Sequence, residues 1–421
     1  MKNIVILGGG FGGLRTAIDL SDKVDDKEWK IILIDRNNYQ TFTPSLYEVA
    51  SAFGVAPDAY SLKLRKTIAV PFDEVKNADK INFVQAEIAE LDLAGKQVKT
   101  RGGQIFEFEY CDFALGAETD NFGIPGVSDY SFMLKTVDDG VAINKNLNEL
   151  FKEAIEEKRE LPIKIIVGGG GFNGIETAAE LACCAKNLAK LCGMDAVACR
   201  GITIIEAMPR ILPMIGDKER AKVYKRLKDL RVDILEGDPI NEVGSDFISL
   251  KSGKKLEADL IIWSSGVKAN SFLKNIKGLE LDEKGRIKAD SNLQTHSAIS
   301  GQANNGVFAI GDNISFIDPK NQKPIPGMGY LAIEQGRIAA ENIIRKIKNK
   351  KLFSYKPKYD YWIAPVGGKN AVAKIYGRIF TGFAGWLIRE AADLRYLLGI
   401  LPLGRAVRAF SESTEVFLKN D

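Results

Sequence analysis

The feature that most constrains this chain is a glycine-rich turn near its start. Residues 4–7 are all apolar and predict a buried parallel strand, and residues 14–20 begin a helical pattern. Between them stands a G-x-G-x-x-G pattern formed by Gly8, Gly10 and Gly13. A second predicted strand, 30–34, ends at Asp35, which follows Gly13 by 22 residues. Strand, turn, helix and acid in this order are typical of a dinucleotide-binding domain, in which the acid holds a ribose hydroxyl.

The same signature occurs a second time. An apolar strand, 163–167, leads into a turn with the glycines Gly169, Gly171 and Gly174, and a helical pattern follows. The next predicted strand, 201–205, ends at Glu206, 32 residues after Gly174. The longer gap predicts an extended helix or connection, for which residues 187–200 provide the length. Two complete signatures in one chain indicate two bound dinucleotides.

Further predicted strands place polar and glycine residues at their ends. Short strands between residues 81 and 115 close on Gly116, and the strand 258–263 enters a turn with Gly266. The buried strand 306–310 ends at Gly311 and Asp312. An acid at the carboxyl end of a strand lies in the crevice where α/β sheets bind ligands. A long helix is predicted over 327–350, with Tyr330, Glu334 and Gln335 near its beginning.

The charge of the chain is unevenly distributed. Its 421 residues have a net charge of +3, enough length for two or three domains and a globular composition. Residues 341–421 carry 15 Lys and Arg against 7 Asp and Glu, a surplus of +8, whereas the rest carries 43 against 48. A basic segment attached to an acidic body indicates contact with an anionic surface.

The C-terminal segment differs from the rest in pattern as well as in charge. Residues 359–366 and 371–375 predict a hairpin, and 382–398 predict an amphipathic helix with Trp386 on its apolar side. Four arginines, Arg389, Arg395, Arg405 and Arg408, lie in this helix and in the residues that follow it. Tryptophan and leucine beside arginine are typical of a helix in a membrane interface. The alternatives are an ordinary packing helix or a homodimer contact.

Cysteine usage and the start of the chain favour a cytosolic protein. The five cysteines include no CxxC or CxxxxC pair, so neither a disulfide reductase nor a sulfide:quinone enzyme is indicated. The single histidine, His296, has no ligand cluster around it, and no metal site is expected. The first strand begins at residue 3, and no charge-free apolar run reaches the ~18 residues of a spanning helix. We therefore expect a protein that is made in the cytosol and meets a membrane from its cytoplasmic side.

Several of these motifs together resemble the two-dinucleotide-binding flavoproteins and, within them, the type II NADH dehydrogenases. The resemblance extends over nearly the whole chain, and the segments that carry it are 8–13, 38–50, 119–126, 169–176, 206–213, 263–269 and 307–312. Two positions differ from the family pattern. Gln40 replaces a frequent histidine, and the quinone-site helix retains only Ala332 and Gln335 of its usual residues.

The resemblance implies an α/β fold with two Rossmann-like dinucleotide-binding domains and a C-terminal membrane-associating segment. It implies that FAD occupies the first site and NADH the second. The expected division is residues 1–125 and 300–350 for the FAD-binding domain, 126–299 for the NADH-binding domain, and 351–421 for the hairpin and amphipathic helical segment. The expected cofactor-binding residues are Gly8, Gly10, Gly12, Gly13, Asp35, Arg36, Thr43, Pro44, Ala86, Gly116, Gly169, Gly171, Gly174, Glu206, Gly266, Gly311, Asp312, Tyr330 and Lys369.

Three residues are candidates for catalysis: Glu176, Glu334 and Gln335. Glu176 follows the second turn and is expected near the nicotinamide and the flavin, where burial would let it relay a proton. The alternative is that Glu176 only stabilises a helix N-terminus. Glu334 relays a proton in one interpretation and faces solvent in the other.

The predicted function is FAD-dependent oxidation of NADH, with electron transfer to a membrane quinone and without proton pumping. The predicted partners are a quinone of the menaquinone or ubiquinone type and the membrane surface, with a homodimer as an open alternative and no nucleic acid. The protein is expected to be peripheral, at the cytoplasmic face of the cell membrane. Two other functions remain open: an NADH-dependent reductase of a small redox protein such as a ferredoxin or rubredoxin, and an NADH-sensing flavoprotein.

Overall fold

A computed structural model describes residues 1–52, 65–157, 162–191, 201–359 and 361–418. Within these ranges the helices discussed below are α1 (Phe11–Ser21), α2 (Leu46–Ser51), α3 (Val127–Tyr130), α4 (Val137–Glu156), α5 (Phe172–Leu191), α6 (Asp217–Asp229), α7 (Gly329–Ile347), α8 (Phe383–Ile400) and α9 (Leu403–Leu418). Helix α5 is nearly twice as long as α1, as the wider spacing of the second signature predicts. The remainder of the predicted extension, 192–200, lies outside the described residues.

The first signature lies in a six-stranded sheet. Its strand order is Gln294–His296, Ala303–Ala309, Tyr110–Phe113, Lys2–Leu7, Trp29–Asp35 and Ile81–Gln85. All neighbouring strands are parallel except the antiparallel edge strand Gln294–His296. The buried residues of the central strands are apolar, with the exception of Asp112, as expected for a parallel sheet that is covered on both faces. Helices α1 and α7 pack against each other on one face.

The second signature lies in a five-stranded, wholly parallel sheet. Its strand order is Phe132–Met133, Leu260–Trp263, Ile165–Gly168, Ile202–Glu206 and Asp233–Glu236. The central strands of both sheets end at a glycine turn that begins a helix. The prediction of two parallel-sheet, Rossmann-type domains is thereby confirmed.

Each nucleotide-binding unit also carries a three-stranded antiparallel meander. The first is Ile88–Asp92, Gln97–Thr100 and Ile105–Glu107, and the second is Ile240–Val243, Phe247–Leu250 and Lys255–Glu257. The short strands Ala117–Thr119 and Val267–Ala269 pair with each other and connect the two units. Beyond this pair the chain returns to the first core, to which the buried residues Leu273, Leu279 and Leu293 belong.

The C-terminal segment forms a sheet followed by two helices. The strands Trp362–Pro365 and Ala371–Ile375 form the predicted hairpin, and a third strand, Arg378–Gly382, pairs with the second of them. Helix α8 packs on this sheet and against α1, and α9 folds back on α8. Among the described helices, none is long and apolar enough to cross a membrane.

Candidate functional site

The first glycine turn is tightly constrained by its surroundings. Gly8 has a φ of +103°, and a Cβ there would lie 2.4 Å from the carbonyl oxygen of Ala114. A Cβ on Gly13 would lie 1.9 Å from the oxygen of Gly8, so α1 and its strand approach as only glycine permits. A Cβ on Gly10, by contrast, would meet no atom within 4 Å. The turn therefore leaves open the position where a pyrophosphate approaches the helix N-terminus.

Asp35 holds this turn in place. Its carboxylate accepts hydrogen bonds from the backbone N–H of Gly9 at 2.7 Å and of Asn37 at 2.8 Å. Burial raises the pKa of Asp35 above its ordinary value, and hydrogen bonds from Asn37 and Gly9 oppose this rise. The carboxylate thus stands beside the turn, as the ribose-binding role requires.

A cavity of about 810 Å³ extends from the turn. Ten predicted cofactor-binding residues line it: Gly8, Gly10, Gly12, Asp35, Arg36, Thr43, Ala86, Gly116, Gly311 and Asp312. Gly329 and Ala332 of α7 also line the cavity, as do Asn270 and Ser271. A cavity of this volume, lined by the open turn, fits a dinucleotide such as FAD.

Two side-chain amides support loops of this cavity from behind. Gln335, 1 % exposed, accepts a hydrogen bond from the backbone N–H of Gly311 at 2.6 Å. Asn313 accepts one from the N–H of Gly116 at 3.0 Å. The geometry thus gives Gln335 a part in positioning the loop that carries Asp312.

The second turn repeats the geometry of the first. Gly169 has a φ of +117°, and a Cβ on Gly174 would lie 1.9 Å from the oxygen of Gly169. A Cβ on Gly171 again meets nothing within 4 Å. Glu206 accepts hydrogen bonds from the N–H of Gly170 at 2.6 Å and of Met208 at 2.7 Å. This matches the arrangement around Asp35 and prepares the second turn for a dinucleotide.

A buried cluster of charges, which we call the Arg389 cluster, lies between α2, α5 and α8. Arg389 is 6 % exposed and donates to both carboxylate oxygens of Glu48, at 2.8 and 2.9 Å. It also contacts Glu390 at 2.9 Å and Asp393 at 3.2 Å. Burial raises the pKa of Glu176 to about 8, with Arg389 opposing the rise and Glu48 and Asp393 adding to it. Glu176 therefore belongs to this cluster electrostatically.

Sequence reasoning did not find Glu48 and Asp393, and it misplaced Arg389. We expected Arg389 to be one of four arginines facing lipid, and that expectation is wrong because Glu48 holds it in the interior. The pair is 341 residues apart in sequence, so no local spacing reveals it. The sequence signal is weak: Glu48 is the charged residue of α2, but Arg389 is one of four charged residues of α8.

The other predicted residues lie outside the large cavity. The ring of Tyr330 packs on Tyr361 with centroids 4.6 Å apart, and the hydroxyl of Tyr361 donates to Glu334 at 3.4 Å. Lys369 is exposed on the loop 366–370, and Pro44 follows the lining residue Thr43. Gly266, with a φ of +69°, forms the turn after the strand Leu260–Trp263.

Comparisons with known proteins agree with this architecture. The pyridine nucleotide-disulphide oxidoreductase family matches residues 2–336. Type II NADH:quinone oxidoreductases are similar over nearly full length: that of Staphylococcus saprophyticus is 28% identical over 412 residues, 97% of this chain and 98% of that one, and that of Staphylococcus epidermidis is 29% identical over 416 residues, with the same coverage. The structure of NDH2 from Plasmodium falciparum in complex with NADH superimposes with a TM-score of 0.82 at 20% identity, covering 99% of this chain and 98% of that one.

The fold and the two turns define a two-nucleotide oxidoreductase, and the chain belongs to the pyridine nucleotide-disulphide oxidoreductase family. The expectation of an oxidoreductase that uses FAD and NADH is confirmed. So is the resemblance to the type II NADH dehydrogenases, since named relatives of that kind align along 97% of the chain.

Proposed function

We propose that this chain oxidises NADH through a bound FAD and passes the electrons to a quinone at a membrane surface, without pumping protons. The observation that carries the proposal is the pair of equivalent turns in one chain, each with an open middle glycine and an acid bonded to its backbone. When bound, the two cofactors supply hydride transfer from nicotinamide to flavin. The protein supplies binding, orientation and proton handling.

The first cavity is proposed to hold FAD, with Asp35 on the adenosine ribose and Asp312 on the ribityl chain. Gly10 and the beginning of α1 would hold the pyrophosphate. NADH would lie on the second turn, with Glu206 on its ribose. Cofactor contacts stay predictions for four residues, because they rest on the resemblance alone: Lys369, Tyr330, Pro44 and Gly266.

We also propose a revised division of the chain. The segment after the connecting strands contributes Leu273, Leu279 and Leu293 to the first core, and Gln294–His296 pairs within the first sheet. The second domain would then run from about residue 120 to about 268, instead of 126 to 299. The C-terminal segment would begin near 351, as predicted.

The C-terminal segment is the proposed membrane contact. Phe383 and Leu387 of α8 are exposed, and so are Leu403 and Val407 of α9. Each pair is separated by four residues and therefore shares one helix face. Exposed arginines nearby, Arg395 among them, are suited to anionic headgroups, each contributing roughly 1 kcal/mol. These features support the proposed location at the cytoplasmic membrane face. A homodimer contact through the same segment is the competing role.

A vesicle experiment tests this part of the proposal. Serine would replace Phe383, Leu387, Leu403 and Val407 together, and serine at the exposed Ile299 and Ile105 of the first domain would serve as the control. We expect the fourfold variant to lose binding to anionic vesicles and reduction of long-chain quinone, while it still reduces a soluble acceptor such as ferricyanide. A fourfold variant that binds vesicles as the control does would contradict the membrane contact. If it changes from dimer to monomer instead, the segment forms a dimer interface.

The choice of acceptor is tested with the unaltered protein. NADH oxidation would be followed with a short-chain quinone and, separately, with ferredoxin and rubredoxin. Fast turnover with the quinone alone supports the proposal. Fast turnover with a small iron–sulfur protein alone would make the chain a redox-protein reductase.

A further inference from the structure

The residues that follow Glu206 form a loop, 207–215, which we call the Glu206 loop. It packs against the second turn: the N–H of Leu212 donates to the carbonyl oxygen of Gly170 at 2.8 Å. Ile211 fills the space beside Gly170, since a Cβ added to that glycine would lie 2.6 Å from its side chain. Both Ile211 and Leu212 are fully buried. The loop therefore forms part of the wall of the second turn, next to the carboxylate that is proposed to bind the ribose of NADH.

The backbone of the Glu206 loop has a shape that needs support. Leu212 has a φ of +46°, in the left-handed region that residues with a Cβ rarely adopt. The buried carbonyl groups of the loop also need hydrogen-bond partners, which a strand or a helix would otherwise supply. Such a conformation persists only where neighbouring side chains hold it.

Arg220 of α6 provides most of this support. Only 6 % of Arg220 is exposed, and its Nε–H donates to the carbonyl oxygen of Ile211 at 2.9 Å. Its Nη2 donates to the carbonyl oxygens of Leu212 at 3.2 Å and Ile215 at 2.6 Å, and its Nη1 bonds Asp217. A buried guanidinium loses its hydration and is retained where its N–H groups are bonded. Because the guanidinium is planar and rigid, one side chain fixes three carbonyl groups relative to each other.

Glu236 anchors the Glu206 loop from the neighbouring strand Asp233–Glu236. One oxygen of its carboxylate accepts hydrogen bonds from the backbone N–H of Ile211 at 2.5 Å and from the phenol of Tyr224. Burial and the bond to Glu236 raise the pKa of Tyr224 to about 12, so the phenol keeps its proton near neutrality. Tyr224 follows Arg220 by four residues on α6, so the two share one helix face. The same helix therefore supports the loop directly and through Glu236.

We propose that Arg220 and Glu236 are positioning residues that hold the Glu206 loop in the shape that binds the adenosine half of NADH. This inference deepens the proposed function and rests on it. Both residues act through the loop, because they fix Ile211 and Leu212 against the second turn and thereby the chain that continues from Glu206. The adenosine half binds but does not react. Loosening the loop therefore weakens coenzyme binding and leaves the rate of hydride transfer from the bound coenzyme unchanged.

Arg220→Met tests the proposal, and Arg226→Met is the matched control. Arg226 lies on the same helix and also donates to backbone carbonyl groups, but to those of Val366 at 3.0 Å and Gly367 at 2.9 Å, outside the Glu206 loop. The FAD-loaded protein would be titrated with ADP-ribose, which has the adenosine half and no nicotinamide, and its flavin would be reduced by NADH in stopped flow. We expect Arg220→Met to bind ADP-ribose about tenfold more weakly, with a limiting rate of flavin reduction within about twofold of that of the unaltered protein. Arg226→Met should change neither.

Further variants separate geometry from charge and from folding. Arg220→Lys keeps the charge without the planar fork and should recover only part of the affinity. Glu236→Leu and Glu236→Gln both remove the charge of the carboxylate, but only the leucine removes the acceptor of the Ile211 N–H. Only Glu236→Leu should therefore weaken ADP-ribose binding several-fold. This pair decides the question if Arg220→Met does not fold.

Unchanged ADP-ribose affinity in folded Arg220→Met would overturn the proposal, and where that variant does not fold, unchanged affinity in Glu236→Leu would do so. Full recovery in Arg220→Lys would also overturn it, because charge alone would then suffice. If ADP-ribose does not bind the unaltered protein, the second turn is not the NADH site, and both this inference and the proposed function fall. If ADP-ribose binds as expected but no quinone is reduced, the proposed function falls alone.

Discussion

The two glycine turns of this chain share their geometry and differ in their neighbours. In both, the first glycine has a positive φ, and the last glycine packs against the carbonyl oxygen of the first. In both, a carboxylate accepts a hydrogen bond from a backbone N–H of the turn. A Cβ added to the glycines of the first turn would contact Phe72, Ile310 or Ala332. A Cβ added to those of the second turn would contact Glu206, Ile211 or one of two serines, Ser264 and Ser265. The first turn is enclosed by distant parts of the chain, and the second by its own domain.

This difference predicts that the two nucleotides remain bound for different times. A cofactor that remains bound gains from walls contributed by several segments, because its release then requires them to move apart. A coenzyme that must leave after each turnover is better served by a site built from one domain. We therefore expect FAD to be retained through purification and NADH to exchange freely. The following predictions separate the two sites, from the largest expected effect to the smallest.

The largest effect is expected from a matched pair of glycine substitutions. Gly13→Ala and Gly174→Ala each place a Cβ 1.9 Å from a backbone oxygen of the same turn, so each turn must distort. Gly13→Ala should purify without flavin, and its free energy of unfolding should be several kcal/mol lower. Gly174→Ala should keep its flavin but raise the KM for NADH more than tenfold. Full flavin occupancy in Gly13→Ala, measured by absorbance, would contradict the role of the first turn.

A buried acid distinguishes the sheets beneath the two turns. Asp112 is fully buried beside Thr16, and burial raises its pKa to about 7, whereas the equivalent position in the second sheet is Ile262. Between pH 4 and 7 the folded chain keeps a proton there that the unfolded chain has released, so stability falls as pH rises. Between pH 5 and 7 the free energy of unfolding of Asp112→Asn should therefore fall by about 2 kcal/mol less than that of the unaltered protein. Denaturant unfolding at both pH values measures it, and an unchanged slope would show that Asp112 does not hold the proton.

Coenzyme choice tests the second turn alone. Glu206 should accept the ribose hydroxyls of NADH and repel the 2′-phosphate of NADPH. Arg210, which could attract that phosphate, instead donates to Asp217 at 2.8 Å. Glu206→Ser should reduce the preference for NADH by about 1 to 3 kcal/mol, roughly ten- to hundredfold in kcat/KM. Equal use of both coenzymes by the unaltered protein would show that Glu206 does not discriminate.

The smallest effect concerns the support of the first site. Gln335→Leu removes the acceptor of the Gly311 N–H and should weaken FAD binding by about 1 kcal/mol, leaving the KM for NADH of the retained flavoprotein unchanged. Gln302→Leu, at an exposed position, is the control. A higher KM for NADH without any loss of FAD would show that Gln335 acts on the other site.

What the sequence predicts and what it misses follow from the range of the interactions. Each turn, with its strand, helix and acid, is local, so both turns and the acids Asp35 and Glu206 are predictable from spacing. The pairing of Arg389 with Glu48 joins residues at opposite ends of the chain, and no periodicity contains it. The packing of Leu293 in the first core is equally non-local, because nothing in a single strand specifies its sheet. The side of α8 that faces the interior was equally unpredictable, because its burial depends on α2 and α5.

The most direct test of the account is anaerobic reduction of the flavoprotein by NADH, followed by rapid mixing with menaquinone and ubiquinone analogues. The account predicts that NADH bleaches the flavin completely and that a quinone reoxidises it at a rate sufficient for turnover. A long-lived charge-transfer complex between NADH and the flavin, reoxidised slowly by every quinone, would contradict it and indicate an NADH-sensing flavoprotein.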